Sequence, residues 1–166
     1  PVTEANLGDG IAPAAPFIAA GGTFGIGTGS NVLVSAREEL RSLEYSQRLR
    51  DRARNVLAAQ SAHSTGRTLF AHAQRGGARG LGVSGARGES GLVTGAAADC
   101  FSIRSELPAM PGRPDDVSLD SFIFGAGTTH IEDVWRAGRR WVEQGVHCAR
   151  EAVKVRYQAR LARLVS

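Results

Sequence analysis

The sequence predicts an α/β fold in two unlike halves, and three observations predict it. Of 166 residues, 42% are hydrophobic and 22% charged, the balance of an ordinary globular chain able to bury a core. Apolar residues recur at a spacing of 3 to 4 through the first half, from Ser35 to about residue 59. Beyond about residue 95 the pattern changes to short β-rich runs. One compact βαβα domain would not divide in this way. The first half therefore reads as strand–helix units of a larger α/β assembly, and the second as a piece of β-sheet.

Taken in order, residues 1–16 are dense in Gly, Pro, Asn and Asp and read as a loop. In "FIAAGGTFGIG" an apolar segment breaks at Gly21-Gly22, and a short buried strand ends at Gly27. The long helix then carries a stripe of Leu40, Leu43, Ser46, Leu49 or Arg50, Ala53, Val56 and Leu57, and Ser35 with Glu38 has the spacing of a capping box. A second helix is expected from Thr65 to Arg75, capped by Ser64 or Thr65 and stopped by Gly76-Gly77. The stretch between Gly76 and Gly95 is glycine-rich and turn-forming, and Pro108, Pro111 and Pro114 mark a later loop. Strands are expected at 99–103 and 121–125, and a hairpin at 131–145 around Ala137-Gly138. A basic amphipathic helix closes the chain over about 149–164, with Val153, Tyr157, Leu161 and Leu164 on one side.

Charge and cysteine usage narrow the classes. The net charge is +4, and of 20 basic residues only Lys154 is Lys. Arg37, Arg41, Arg48, Arg50, Arg52 and Arg54 would suit a nucleic-acid patch, but Glu38, Glu39, Glu44 and Asp51 lie among them, so i, i+4 pairing on a solvated face accounts for them. Neither a nucleic-acid nor a membrane partner is expected. Cys100 and Cys148 lie far apart, without metal-type or disulfide-framework spacing, and suit a reducing cytoplasm. No signal peptide or spanning run is expected, and the start at Pro1 reads as a cut.

Local motifs name no catalyst. "GIGTGSN" satisfies neither the dinucleotide fingerprint nor the P-loop, and reads as a strand end turning into a helix. His63, His72, His130 and His147 form no H-x-H or H-E-x-x-H, and no G-x-S-x-G elbow is present.

"TEANLGDGI" (3–11), "FGIGTGSN" (24–31) and "REELRSLEYSQRLRDRARNVLA" (37–58), taken together, resemble the formimidoylglutamate deiminase family of metal-dependent amidohydrolases. "GGARGLG", "SGLVTGAAAD" and "DVWRAGRRWVEQGVH" look like the same family's C-terminal segments, so the likeness covers nearly the whole chain. The resemblance implies a TIM-like barrel holding one divalent metal, usually zinc, with a small β-sandwich built from both chain ends. It also implies hydrolysis of the formimino C–N bond of N-formimidoyl-L-glutamate, in histidine breakdown, by metal-activated water. The family's ligands are an early H-x-H, a later His, and an Asp at the end of the eighth strand that also shuttles the proton.

A (β/α)₈ barrel takes ~250 residues, so this chain is expected to be a C-terminal fragment. Residues 1–85 would be the last strand–helix units of the barrel, 86–148 part of the composite sandwich, and 149–166 the terminal helix. Gly29 stands where the family has its ligand Asp, so no catalytic or metal-binding residue is expected intact, and no zinc is expected on this chain alone. Glu4 and Asn6, in the loop that faces the family's active site, would contact substrate or serve only to shape the loop. The chain alone is expected to be inactive. It would associate with the missing N-terminal half of the barrel or with itself, because uncovered strand edges and apolar faces invite partners. The rival expectation is a non-catalytic remnant or an interaction module using the basic helix 35–59.

Overall fold

The structure, a computed structural model, describes residues 1–59, 61–83, 91–105, 114–125 and 129–165. Pro108, Pro111 and part of the glycine-rich stretch (84–90) lie outside them. The chain is a mixed helix and strand fold in two compact units. One comprises Pro1–Ala96 with Ser105–Thr129, the other Ala97–Arg104 with His130–Ser166. Among the described residues no helix is long and apolar enough to cross a membrane.

The first unit is helical. Its opening stretch, expected as loop, contains two short helices, α1 (Val2–Leu7) and α2 (Ala14–Ala19). Helix α1 ends because Gly8 takes a left-handed φ of 77° and its N–H returns to the Glu4 carbonyl. Helix α3 (Ala36–Asp51) starts as expected, with Ser35 Oγ accepting the Glu38 N–H at 3.3 Å. It stops eight residues early because Arg52 and Asn55 turn left-handed. A short 3₁₀ turn, Val56–Ala58, follows.

The expected stripe on α3 holds only in part. Leu40 and Leu43 are buried, but Leu49 is 79% exposed, while Glu39, Glu44 and Gln47 face inward. Glu44 has a reason to be inside. Its Oε1 accepts from Arg48 Nε at 2.7 Å and from the Val56 N–H at 3.0 Å, and its Oε2 accepts the Leu57 N–H at 3.1 Å. One buried carboxylate thus satisfies the orphan donors that open the 3₁₀ turn.

Helix α4 (Thr65–Gly80) is capped by Ser64, as expected, but Gly76-Gly77 does not stop it. These glycines mark a close approach instead. A Cβ on Gly76 would run into the Phe24 carbonyl, and one on Gly25 would lie 3.1 Å from Gly77 Cα. Residues 22–28 rest on α4 there, with Phe24 stacked on His72 at 5.9 Å between ring centroids. Among the described residues this extended stretch joins no strand ladder, so the strand expected to end at Gly27 is not formed here.

The strand expected at 121–125 is also absent: those residues belong to helix α5 (Pro114–Phe124), apart from Gly125, which follows it. Leu119, Phe122 and Ile123 are buried at helical spacing. The helix is fastened at both ends. Asp120 Oδ1 accepts the Gly66 N–H at 2.7 Å and Asp116 Oδ2 accepts the Ser64 N–H at 3.0 Å, capping α4. Arg41 on α3 donates to the carbonyls of Ile123 and Gly125, closing the other end. Between α3, α4 and α5 lies the core of Leu40, Leu43, Leu57, Leu69, Phe122 and Ile123.

The second unit holds a four-stranded sheet in the order β1 (Cys100–Ser105), β2 (Thr129–Arg136), β3 (Arg139–Glu143), β4 (Val146–His147). The expected hairpin is present, with Val134 opposite Val142 and Arg136 opposite Arg139. Ala137 and Gly138 both have positive φ, 50° and 74°, the signature of a two-residue turn whose twist matches the strands. Asp99 steadies this tip by accepting the Ala137 N–H at 2.6 Å. Helix α6 (Arg150–Leu164) forms as expected, and none of its residues is buried.

Candidate functional site

The site implied by the sequence centres on residues 28–30 and on α1. Gly29 adopts φ 60°, the left-handed region. Around it the turn is pinned by Thr3, at the start of α1. Thr3 Oγ1 donates to the Thr28 carbonyl at 2.6 Å and lies 3.0 Å from Ser30 Oγ. Thr3 has one hydroxyl proton and gives it to Thr28, so Ser30 donates in the second bond. The Ser30 N–H closes the turn onto the Thr28 carbonyl at 2.5 Å.

Helix α1 is held in turn from below. Glu39, 1% exposed on α3, accepts the Val2 N–H at 3.3 Å. Its carboxylate sits at the positive end of α1. Neither Thr3 nor Glu39 stands out in the sequence as a site residue. The only signal is a Glu beside the apolar stripe of α3, where an ionised group stays only if paired.

The structure brings the predicted residues together unequally. Glu4, next to Thr3 on α1, borders an apolar cleft of about 610 Å³ whose walls include Phe17, Phe24, Ile26 and Leu43. Asn6, on the same helix, is exposed and does not border that cleft. Gly29 presents no donor atom, and the three nearest heavy atoms to a Cβ built there all belong to Thr3.

Among the described residues no three His, Cys, Asp or Glu side chains lie together so as to hold a metal ion. With glycine at position 29, the residues present do not fit a metal. The histidines are dispersed. His63 is 3.8 Å from Asp116, His72 is stacked on Phe24, and His147 Nδ1 accepts the Ala149 N–H. Burial, reinforced by Arg75, pushes the His72 pKa below its ordinary value. Both cysteines are free thiols.

The cations of α3 are largely committed within the unit. Arg37 and Arg41 pair with Glu38, Arg48 with Glu44, and Arg50 with Asp51. Arg48 also lies over the rings of Tyr45 and Phe124, at 5.4 and 5.2 Å. The i, i+4 pairing expected from the sequence is met by Arg48 with Glu44.

No protein-family profile matches the chain. Over 149 residues, 90% of its length, it is 44% identical to formimidoylglutamate deiminase of Pseudomonas aeruginosa, of which it covers 32%. The crystal structure of an amidohydrolase from Brucella melitensis matches the whole chain with a TM-score of 0.89 and 51% identity, the chain covering 35% of it. The chain thus spans about a third of the length of each, and the resemblance carried by its sequence motifs is met in both sequence and structure.

Proposed function

We propose that this relative of formimidoylglutamate deiminase is the C-terminal portion of a barrel-type hydrolase descended from enzymes that act on the formimino C–N bond of N-formimidoyl-L-glutamate. In that reaction water adds to the formimino carbon and the terminal C–N bond breaks, leaving N-formyl-L-glutamate and ammonia. The chain supplies one wall of such a site, from α1 and the Thr28–Ser30 turn. The polypeptide that makes up the other two thirds of its relatives supplies the rest, and the chain alone is inactive. The single observation that carries this reading is Gly29. It sits in a left-handed turn pinned by Thr3, at the position where the resemblance implies an Asp. The pinned turn supports descent from a catalytic loop, and the missing carboxylate supports the loss of activity. Among the chain's own residues, Glu4 is the one placed to meet the substrate, through its place on the cleft wall. A reducing cytoplasm suits its two free thiols.

The test is a graft. The matching segment of the Pseudomonas deiminase is replaced by this chain, and ammonia release from N-formimidoyl-L-glutamate is measured. The graft with Gly29 should be near background, and Gly29→Asp should raise turnover by about 100-fold or more, the scale of a positioned proton-transfer group. A Gly29→Asp graft that folds but stays at background refutes the assignment of position 29.

A further inference from the structure

We infer that Thr3 is the positioning residue for any side chain that stands at position 29, a deepening that rests on the hydrolase reading above. Three observations converge on it. The Thr3 hydroxyl holds both sides of the turn, through Thr28 O at 2.6 Å and Ser30 Oγ at 3.0 Å, so it restrains the backbone that aims position 29. A Cβ on residue 29 would stand 3.1 Å from Thr3 Oγ1, 3.5 Å from its Cβ and 3.7 Å from its Cγ2. Thr3 therefore walls one side of that Cβ, and a side chain there must turn away from it. The hydroxyl proton is already committed to Thr28, so toward residue 29 Thr3 presents lone-pair density and a methyl group. A carboxylate is steered off by both. Finally, Thr3 is anchored through α1 on buried Glu39, so the wall does not yield freely.

Steering of this kind biases the rotamer, because of the three staggered χ1 wells of residue 29 the one that turns a γ atom onto Thr3 is disfavoured. It also brings together residues 25 positions apart in sequence, on α1 and in the turn.

The measurement is the χ1 population of residue 29 in the chain itself, from three-bond couplings of its β-protons. Gly29→Asp is compared with Gly29→Asp/Thr3→Ser, which keeps the hydroxyl, and with Gly29→Asp/Thr3→Val, which keeps the shape and removes it. Gly29→Asp and the Ser variant should each leave that well nearly empty, while the Val variant, whose turn has lost both hydroxyl bonds, should populate all three. In the Val variant the Ser30 amide should also exchange faster, with the α4 amides unchanged. All three wells populated already in Gly29→Asp, or a Val variant identical to it, overturns the inference. Should Gly29→Asp not fold, Gly29→Asn carries the same test, since Asn tolerates the left-handed region best; failure of both also overturns it. The two readings fail separately. An emptied well with an inactive Gly29→Asp graft sinks the hydrolase reading alone, and three populated wells with an active graft sink only the role of Thr3.

Discussion

Gly76 and Gly77 are neighbours near the C-terminal end of α4, yet the structure assigns them opposite responses to the same substitution. In an unobstructed helix, Gly→Ala stabilises by about 1 kcal/mol, because alanine loses less backbone freedom. Around Gly77 a Cβ would meet nothing within 4 Å, so Gly77→Ala should gain that amount in full. On Gly76 the same Cβ would run into the carbonyl of Phe24, which is backbone and has no rotamer to escape into. Residues 23–26 must lift from α4, at an overpacking cost of roughly 2–3 kcal/mol. Lifting also weakens the Phe24–His72 stack at 5.9 Å, worth about 1 kcal/mol. Set against the propensity gain, Gly76→Ala should destabilise by about 2 kcal/mol. For a chain of this size each kcal/mol moves Tm by roughly 2–4 °C, so Gly76→Ala should melt some 4–8 °C lower and Gly77→Ala about 2–4 °C higher. Urea unfolding followed by far-UV circular dichroism gives both values on one scale. A Gly76→Ala chain as stable as its parent would refute the close approach of Phe24 to α4.

Two further responses follow from the same unit. Glu44→Ala removes the acceptor of Arg48 and of the Val56 and Leu57 amides, leaving a cation and two N–H groups without it. It should cost roughly 3 kcal/mol in urea unfolding, and a loss below about 0.5 kcal/mol, the scale of an ordinary surface substitution, would contradict the burial of that carboxylate. His72 is held below its ordinary pKa of 6.5 mainly by burial, so the unfolded chain binds its proton first as pH falls. The contribution of neutral His72 is therefore complete above pH 6.5 and is lost below it. His72→Phe, which keeps a ring against Phe24, should lose less stability between pH 7.5 and 5 than the parent; equal losses would remove His72 from the account.

What was legible in the sequence had a local cause. Ser35, Ser64 and Ala137-Gly138 each act within a few residues, Ser35 and Ser64 as helix caps and Ala137-Gly138 as the hairpin turn, although Glu38 gives its carboxylate to Arg37 and Arg41 rather than completing a capping box. What was illegible depended on a distant partner. "SFIFG" is a short apolar run that suits a buried strand or a buried helix equally, and it is the Asp116 and Asp120 bonds to α4 that settle it as α5. Gly76-Gly77 has the look of a helix stop, but its glycines answer to a segment some fifty residues earlier. The opening helix α1 was legible in part, since Glu4 in its first turn and Gly8 just past its end are ordinary helix signals. They were outweighed by the Gly, Pro and Asp that follow.

The candidate site divides along the same line. Position 29 came from the family resemblance, since a glycine after a strand-like run has no chemistry to announce it. The structure adds what a substitution pattern does not contain, namely that the turn around the glycine is tied on both sides to Thr3. A left-handed φ at residue 29 would be no surprise for glycine in a slack loop. Here the same φ is enforced from outside, by a hydroxyl that bonds both flanking residues and by a helix anchored on a buried carboxylate. A turn held at that φ by Thr3 leaves an L residue at position 29 in the left-handed region with its Cβ 3.1 Å from Thr3 Oγ1, so Gly29→Asp should cost about 1–2 kcal/mol. Urea unfolding of Gly29→Asp against the parent measures that cost before any substrate is added. A loss below about 0.5 kcal/mol would show that the turn relaxes out of the left-handed region and is not held there by Thr3.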